Sequence, residues 1–253
     1  MAERESRSQT DDDAKKSGGF GEAVKVVVHA LILALIVRTF LFQPFNIPSG
    51  SMMETLLVGD YLFVSKYSYG YSRHSFPYSL APFSGRIWSA KPERGDIVVF
   101  KLPRDNSTDY IKRVIGLPGD RIQVIGGLLH INGEPVKKVP DGEFSGDDRG
   151  YRVNARRFIE TLPNGVSYHV LELSDHARGD NTKVFEVPEG HYFMMGDNRD
   201  NSSDSRESVG YVPFENLIGR AEIIFFSVKS GESAWMVWKW PWIARWNRFF
   251  QTL

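Results

Sequence analysis

The apolar run "AVKVVVHALILALIVRTFLFQPF", residues 23 to 45, constrains this chain more than any other stretch. Its uncharged centre, Val26 to Val37, is twelve residues long. That suits a buried helix or the apolar part of a signal peptide. Taken as Val24 to Phe42 it reaches nineteen residues, about the length that crosses a bilayer at 1.5 Å per residue. Lys25 and Arg38 then lie near its two ends, where long side chains can reach the headgroups. The acidic residues upstream, and the absence of a small-x-small site in "LFQPFNIP" downstream, weigh against a cleaved signal. A buried helix of a soluble protein is the competing reading. Residues 1 to 22 are polar and mixed in charge and read as a disordered tail. Arg4, Arg7, Lys15, Lys16 and Lys25 precede the run and favour a cytoplasmic N-terminus, with everything after residue 43 on the far side.

Beyond the run the pattern changes to period two. "DYLFVSKYSYGY", "GDIVVFKLP", "DYIKRVIGLPGDRIQVIGGLLHINGEPV" and "GRAEIIFFSV" are β-branched and aromatic runs punctuated by Gly, Pro and Asp. Asn-Gly in "HINGEPV" signals a hairpin, and "TLPNGVSYHVLEL" suggests another. Residues 141 to 165 are polar and turn-rich, and no helical period is sustained between 60 and 230. The tail "SAWMVWKWPWIARWNRFFQTL" holds five of the six tryptophans beside Lys239, Arg245 and Arg248. It reads either as a membrane-interface segment or as a strand and helix closing the core.

Composition narrows the function. With 31 basic and 31 acidic side chains, net charge points to no nucleic acid. The absence of cysteine removes a disulfide framework, a thiol nucleophile and cysteine-ligated zinc. H-E-x-x-H, a phosphate loop ending in Lys-Ser/Thr, G-x-S-x-G and Ser-x-x-Lys are all missing. The six histidines sit in unrelated contexts.

Three segments remain: "PSGSM", "DYIKRVIGLPGD" and "GDNRDNSSDSR". If the second is a strand, Tyr110, Lys112 and Val114 share one face. A lysine beside an aromatic ring and a valine loses water, which disfavours its ammonium, and a neutral amine can act as a base for a serine. A lysine at a strand edge with its charge in water is the reading the segment favours when taken alone. The third segment fails the calcium-loop template, having Ser202 at position 6 and Ser208 at position 12 counted from Asp197. It reads instead as an Asx/Ser loop that caps amides and can brace a neighbouring group.

In order and content these segments resemble the signature boxes of the bacterial type I signal peptidases, the leader peptidase family of Ser-Lys proteases. "FNIPSGSMMETL" is similar to the nucleophile box, "RGDIVVFKLP" to the second, "YIKRVIGLPGD" to the lysine box and "GDNRDNSSDSR" to the last, over roughly residues 24 to 230. Glu54 stands where proline is usual in the family, and the region between the last two boxes is short. The chain also offers one span where some members have two.

The resemblance implies a mainly β fold: a signal-peptidase-like antiparallel β core with a small inserted β region, preceded by one transmembrane helix. The implied divisions are a cytoplasmic tail (1–22), an anchor (23–42), a catalytic core (43–125 and 186–235), an accessory region (126–185) and an interfacial C-terminal segment (236–253). It implies Ser51 as nucleophile, Lys112 as general base and Ser49 in the oxyanion hole. Ser202 would hydrogen-bond Lys112, Asp204 and Arg206 would form a supporting ion pair, and Asp197 would support the site likewise. Phe45, Ile47, Pro48, Met52, Leu56, Leu62, Val99, Tyr110 and Ile111 would line shallow pockets for small side chains.

The implied reaction is removal of signal peptides from exported preproteins after an Ala-x-Ala-like motif. The enzyme would work as a monomer, without cofactor or metal. It would sit in the bacterial plasma membrane, crossing once, with the catalytic domain periplasmic or extracytoplasmic and the lipid bilayer as a partner. A specialised Ser-Lys maturation peptidase, such as one processing conjugative pilin, is the nearest alternative. A self-cleaving repressor lacks an obvious DNA-binding module. An inactive, tethered β-domain that binds peptides is the alternative from another class.

Overall fold

In the computed structural model, residues 21–76, 79 and 82–253 are described. The tail expected over 1–22 lies almost wholly outside them. Helix α1 (Gly21–Leu41) is long and apolar enough to cross a membrane, and its last turn, Val37–Leu41, is a π-helix. Among the described residues almost nothing covers it: Val26, Leu31 and Leu33 are each more than 60% exposed. The reading as the buried helix of a soluble core is therefore excluded.

Fifteen strands follow among the described residues. They are β1 (Phe42–Asn46), β2 (Asp60–Ser65), β3 (Ile97–Lys101), β4 (Asp109–Gly116), β5 (Arg121–Ile125), β6 (Leu128–Ile131) and β7 (Glu134–Pro135). After these come β8 (Lys137–Asp148), β9 (Tyr151–Thr161), β10 (Ser167–Glu172), β11 (Phe185–Glu186) and β12 (His191–Met195). The last are β13 (Val212–Pro213), β14 (Leu217–Ser227) and β15 (Gln251–Thr252).

The main sheet runs β1-β2-β14-β3-β4-β12-β13, with β15 pairing on β14. Its ladders are antiparallel throughout. Alternation explains why "IVVF" is buried on both faces. Ile97 and Val99 pack with Ile47, Met52, Leu56, Leu62, Val64 and Ile224. Val98 and Phe100 point the other way, toward Val114, Tyr192, Met194 and Leu217. A second sheet, β11-β5-β6-β7, and a third, β10-β9-β8, stand beside the first. The core strand β4 ends at Gly116 and the second sheet begins at Arg121, earlier than residue 126.

The hairpin at Asn132-Gly133 has φ of 58° and 89°, the left-handed pair that a two-residue type I′ turn requires. Arg149-Gly150 repeats this at 55° and 90°. It joins β8 to β9, so the polar stretch expected to be turn-rich is a long hairpin. Its sequence hides this because most of its side chains on both faces meet solvent, which removes the apolar alternation a strand normally shows.

The C-terminal segment divides between its two readings. Trp240 is held in place, donating Nε1–H to the Ala234 carbonyl at 2.9 Å and packing on Phe226 at 4.6 Å. Trp235, Trp238, Trp242 and Trp246 are exposed. The segment is fastened through Asp60, which is fully buried. Arg248 donates to both Asp60 oxygens, at 3.1 and 2.7 Å. Ser227 Oγ adds a third hydrogen bond at 2.6 Å, and Arg245 NH2 a longer one at 3.3 Å. Removing one side of such a buried pair strands the other charge, typically at about 3–5 kcal/mol. Asp60→Asn is therefore expected to lower unfolding stability by about that amount, read as a fall in the urea midpoint of the detergent-solubilised chain.

Candidate active site

Ser51 sits in the single 3-10 turn Gly50–Met52, which follows β1. Ile47 N donates to Asp60 O at 2.8 Å and Gly59 N to Ile47 O at 3.0 Å, which fixes the approach to that turn. Ser51 is 8% exposed and Lys112, on β4, is 3% exposed. Lys112 Nζ donates to Ser51 Oγ at 2.6 Å and to the Ile111 carbonyl at 2.9 Å, and lies 5.4 Å from the centre of the Tyr110 ring. Burial pushes the ammonium down to about 8, against the opposing pull of Asp204 and Asp197. Once Nζ loses its proton, its lone pair can accept from the Ser51 hydroxyl through the same contact.

The Asp/Asn/Ser loop holds the turn from behind. Asn198 Nδ2 donates to Gly50 O at 2.9 Å and Asn198 N donates to Ser51 O at 3.2 Å. Gly196 is required by proximity: a Cβ there would come 2.4 Å from Ser51 O. Gly50 is crowded from another side: its φ is not left-handed, and a Cβ would lie 2.8 Å from Asp148 Oδ2 of β8.

Two buried ion pairs brace the loop. Asp204 accepts from Arg206 Nε at 3.0 Å and NH2 at 2.9 Å, and from Gly196 N at 3.1 Å. Burial works to raise its carboxyl, but the Arg206 charge and these bonds hold it below the usual range. Asp197 accepts from Arg113 Nε at 2.9 Å and NH2 at 2.7 Å, and from Thr55 Oγ1 at 2.5 Å. Beneath them Arg199 forks onto Glu160 at 2.9 and 2.6 Å, tying the loop to β9.

Sequence reasoning missed Asn198, Gly196, Arg113, Glu160 and Asp148. Asn198 and Gly196 lie inside the segment it had singled out, and Arg113 is next to Lys112. Glu160 and Asp148 carried no local signal, because they approach only when β8 and β9 fold back. Glu54, at the position where proline was expected, pairs with Arg157 of β9 at 3.0 Å.

Two expectations are corrected. Ser202 makes no hydrogen bond to Lys112: its hydroxyl is buried without a partner among the described residues, while Lys112 Nζ is taken up by Ser51 and Ile111. The expected pocket residues divide. Pro48, Tyr110 and Ile111 line a cleft of about 410 Å³ together with Ser49, Ser51, Lys112 and Asp148. Ile47, Met52, Leu56, Leu62 and Val99 are sealed in the core, and Phe45 packs against them. Leu62 and Val99 face inward from their strands, Ile47, Met52 and Leu56 from the turn-bearing segment between β1 and β2, and Ile111, which lines the cleft, packs on this cluster.

A β-fold that buries a serine hydroxyl against a desolvated lysine is a hydrolase arrangement. The family described as "Signal peptidase, peptidase S26" matches residues 20–226. A Signal peptidase I from Rickettsia typhi (strain ATCC VR-144 / Wilmington) is 47% identical over 207 residues, covering 79% of this chain and 77% of that protein. The Signal peptidase I of Rickettsia conorii (strain ATCC VR-613 / Malish 7) is 44% identical over 231 residues, covering 88% and 84%. A crystal structure of a signal peptidase I from Enterococcus faecalis V583 is 28% identical and covers 52% of this chain, with a TM-score of 0.31, too low for the superposition to add to the likeness in sequence. The chain belongs to the signal peptidase family, peptidase S26, and is a serine peptidase.

A buried lysine with a lowered pKa costs stability, which gives a test. The unfolded chain binds this proton up to about 10.4 and the folded chain only up to about 8. The penalty, of order 3 kcal/mol, is full below pH 8 and fades as pH rises toward 10.4. Lys112→Met is expected to abolish activity yet raise unfolding stability at pH 7, with the gain shrinking by pH 10; denaturant titrations at the two pH values check it.

Proposed function

We propose that this chain is a membrane-anchored endopeptidase that removes N-terminal signal peptides from exported preproteins, cleaving after a small-x-small motif. The observation that carries the reading is the buried 2.6 Å contact between Lys112 Nζ and Ser51 Oγ. Neutral Lys112 takes the Ser51 proton as Oγ attacks the scissile carbonyl. The Ser49 hydroxyl and the Ser51 amide stabilise the oxyanion; losing one such donor typically costs about 10²- to 10³-fold in kcat. Lys112 then gives the proton to the leaving amine, the acyl-enzyme remains on Oγ, and a water activated by Lys112 releases it. Asp197 with Arg113, and Asp204 with Arg206, hold the loop that seats Ser51. Ser202 packs beside Gly196 as part of that support.

The small side chains of the substrate fit a cleft whose floor is closed by the sealed core under Ile111, since a shallow floor rejects large residues sterically. The exposed α1 supports single-pass anchoring in the plasma membrane, and the basic residues before it support a cytoplasmic N-terminus with the catalytic domain extracytoplasmic. The exposed tryptophans are suited to headgroup depth.

Ser51→Ala and Lys112→Ala are each expected to lower kcat by about 10³-fold or more in detergent, with folding retained. The rate for the wild type should rise with pH through an apparent pKa near 8, because the base acts unprotonated. Mass spectrometry of products from several precursors should find cuts after small-x-small. Near-wild-type cleavage by either variant, or an acid optimum, would overturn the dyad.

A further inference from the structure

A cavity of about 120 Å³ lies at the foot of α1, away from the cleft. Arg38 and Thr39 of the helix, Gln43 of β1, Lys66, His74 and Lys101 contribute to its wall, together with Asp109. Its charge is not balanced. Lys101 is engaged by Asp109 at 2.8 Å and by the Ser107 carbonyl at 2.7 Å. Among the described residues, Lys66, 3% exposed, donates to the Ser75 carbonyl, and neither it nor the exposed Arg38 forms a salt bridge, Asp109 acting on Lys66 only through space. His74 is 5% exposed. Its Nδ1 meets Ser79 Oγ at 3.0 Å, while Nε2 is buried without a partner among the described residues.

Two cations and an imidazole nitrogen facing one small cavity call for an anion with several acceptor oxygens, since His74 Nε2 is buried without a partner among the described residues and such a group is costly to leave unsatisfied. We propose that this cavity is a binding site for a phosphate group, held by Arg38, Lys66 and His74. Its position at the foot of α1 is the level of lipid phosphates, a point that rests on the anchor reading above. The burial and nearby Arg38 charge that push Lys66 down to about 8 are what a bound phosphate would offset. None of these side chains belongs to the catalytic cleft.

The test titrates the full chain in neutral detergent with dioctanoyl phosphatidic acid and, separately, with inorganic phosphate, following binding by native mass spectrometry. Saturable binding is expected, weakened about tenfold or more in Lys66→Met and His74→Gln, while both variants still cleave a preprotein. Much tighter binding of the phosphatidic acid would identify a lipid headgroup as the source; equal affinity would identify free phosphate. No saturable binding of either probe, or equal affinity in wild type and both variants, would overturn the site. Incorporation into phosphatidylcholine nanodiscs is scored separately: failure there breaks the anchor reading and leaves the detergent titration intact.

Discussion

Everything around the site follows from keeping one lysine dry. An ammonium in water has no reason to release its proton near neutrality, so Lys112 must be enclosed, and enclosure is unstable unless the surroundings are rigid. The fold supplies rigidity by placing Lys112 on an inner strand, paired with β3 on one side and β12 on the other. It limits the loss with carboxylates set behind the site, which pull the ammonium back up without touching it. The outcome is a basicity between that of a solvated lysine and that of a fully desolvated one.

The same economy of space governs the backbone beside it. Besides the contact of its side chain with Lys112, Ser51 is held by carbonyls, its own and that of Gly50, gripped from Asn198. That grip works only if the loop approaches the turn closer than a side chain at position 196 allows, hence the glycine there. The charged residues of the loop are spent in ion pairs, Arg206 on Asp204 within it, Asp197 with Arg113 of β4 and Arg199 with Glu160 of β9. The loop therefore presents amides and a carboxamide, not charge, to the turn that carries the serine.

How much of this could be read from residues depended on whether the signal was local. The burial of Lys112 follows from its strand neighbours Tyr110 and Val114, and the Asn132-Gly133 hairpin from two residues alone. The hairpin of β8 and β9 was illegible because it has almost no dry face to impose alternation. Residues such as Met52 and Val99 were expected to line pockets by resemblance and lie in the core, since a motif match does not say which way a side chain points. Asp148 and Glu160 became neighbours of the site only through tertiary folding.

The clamp between Gly50 and Asn198 joins positions 148 residues apart. At about 5–20 residues per second, a ribosome makes the serine roughly 7 to 30 s before it makes the loop that seats it. A nascent chain therefore carries Ser51 for most of its synthesis with no seat to hold it. The contact between Ser51 and Lys112 is clamped in place only once nearly the whole sheet has been delivered.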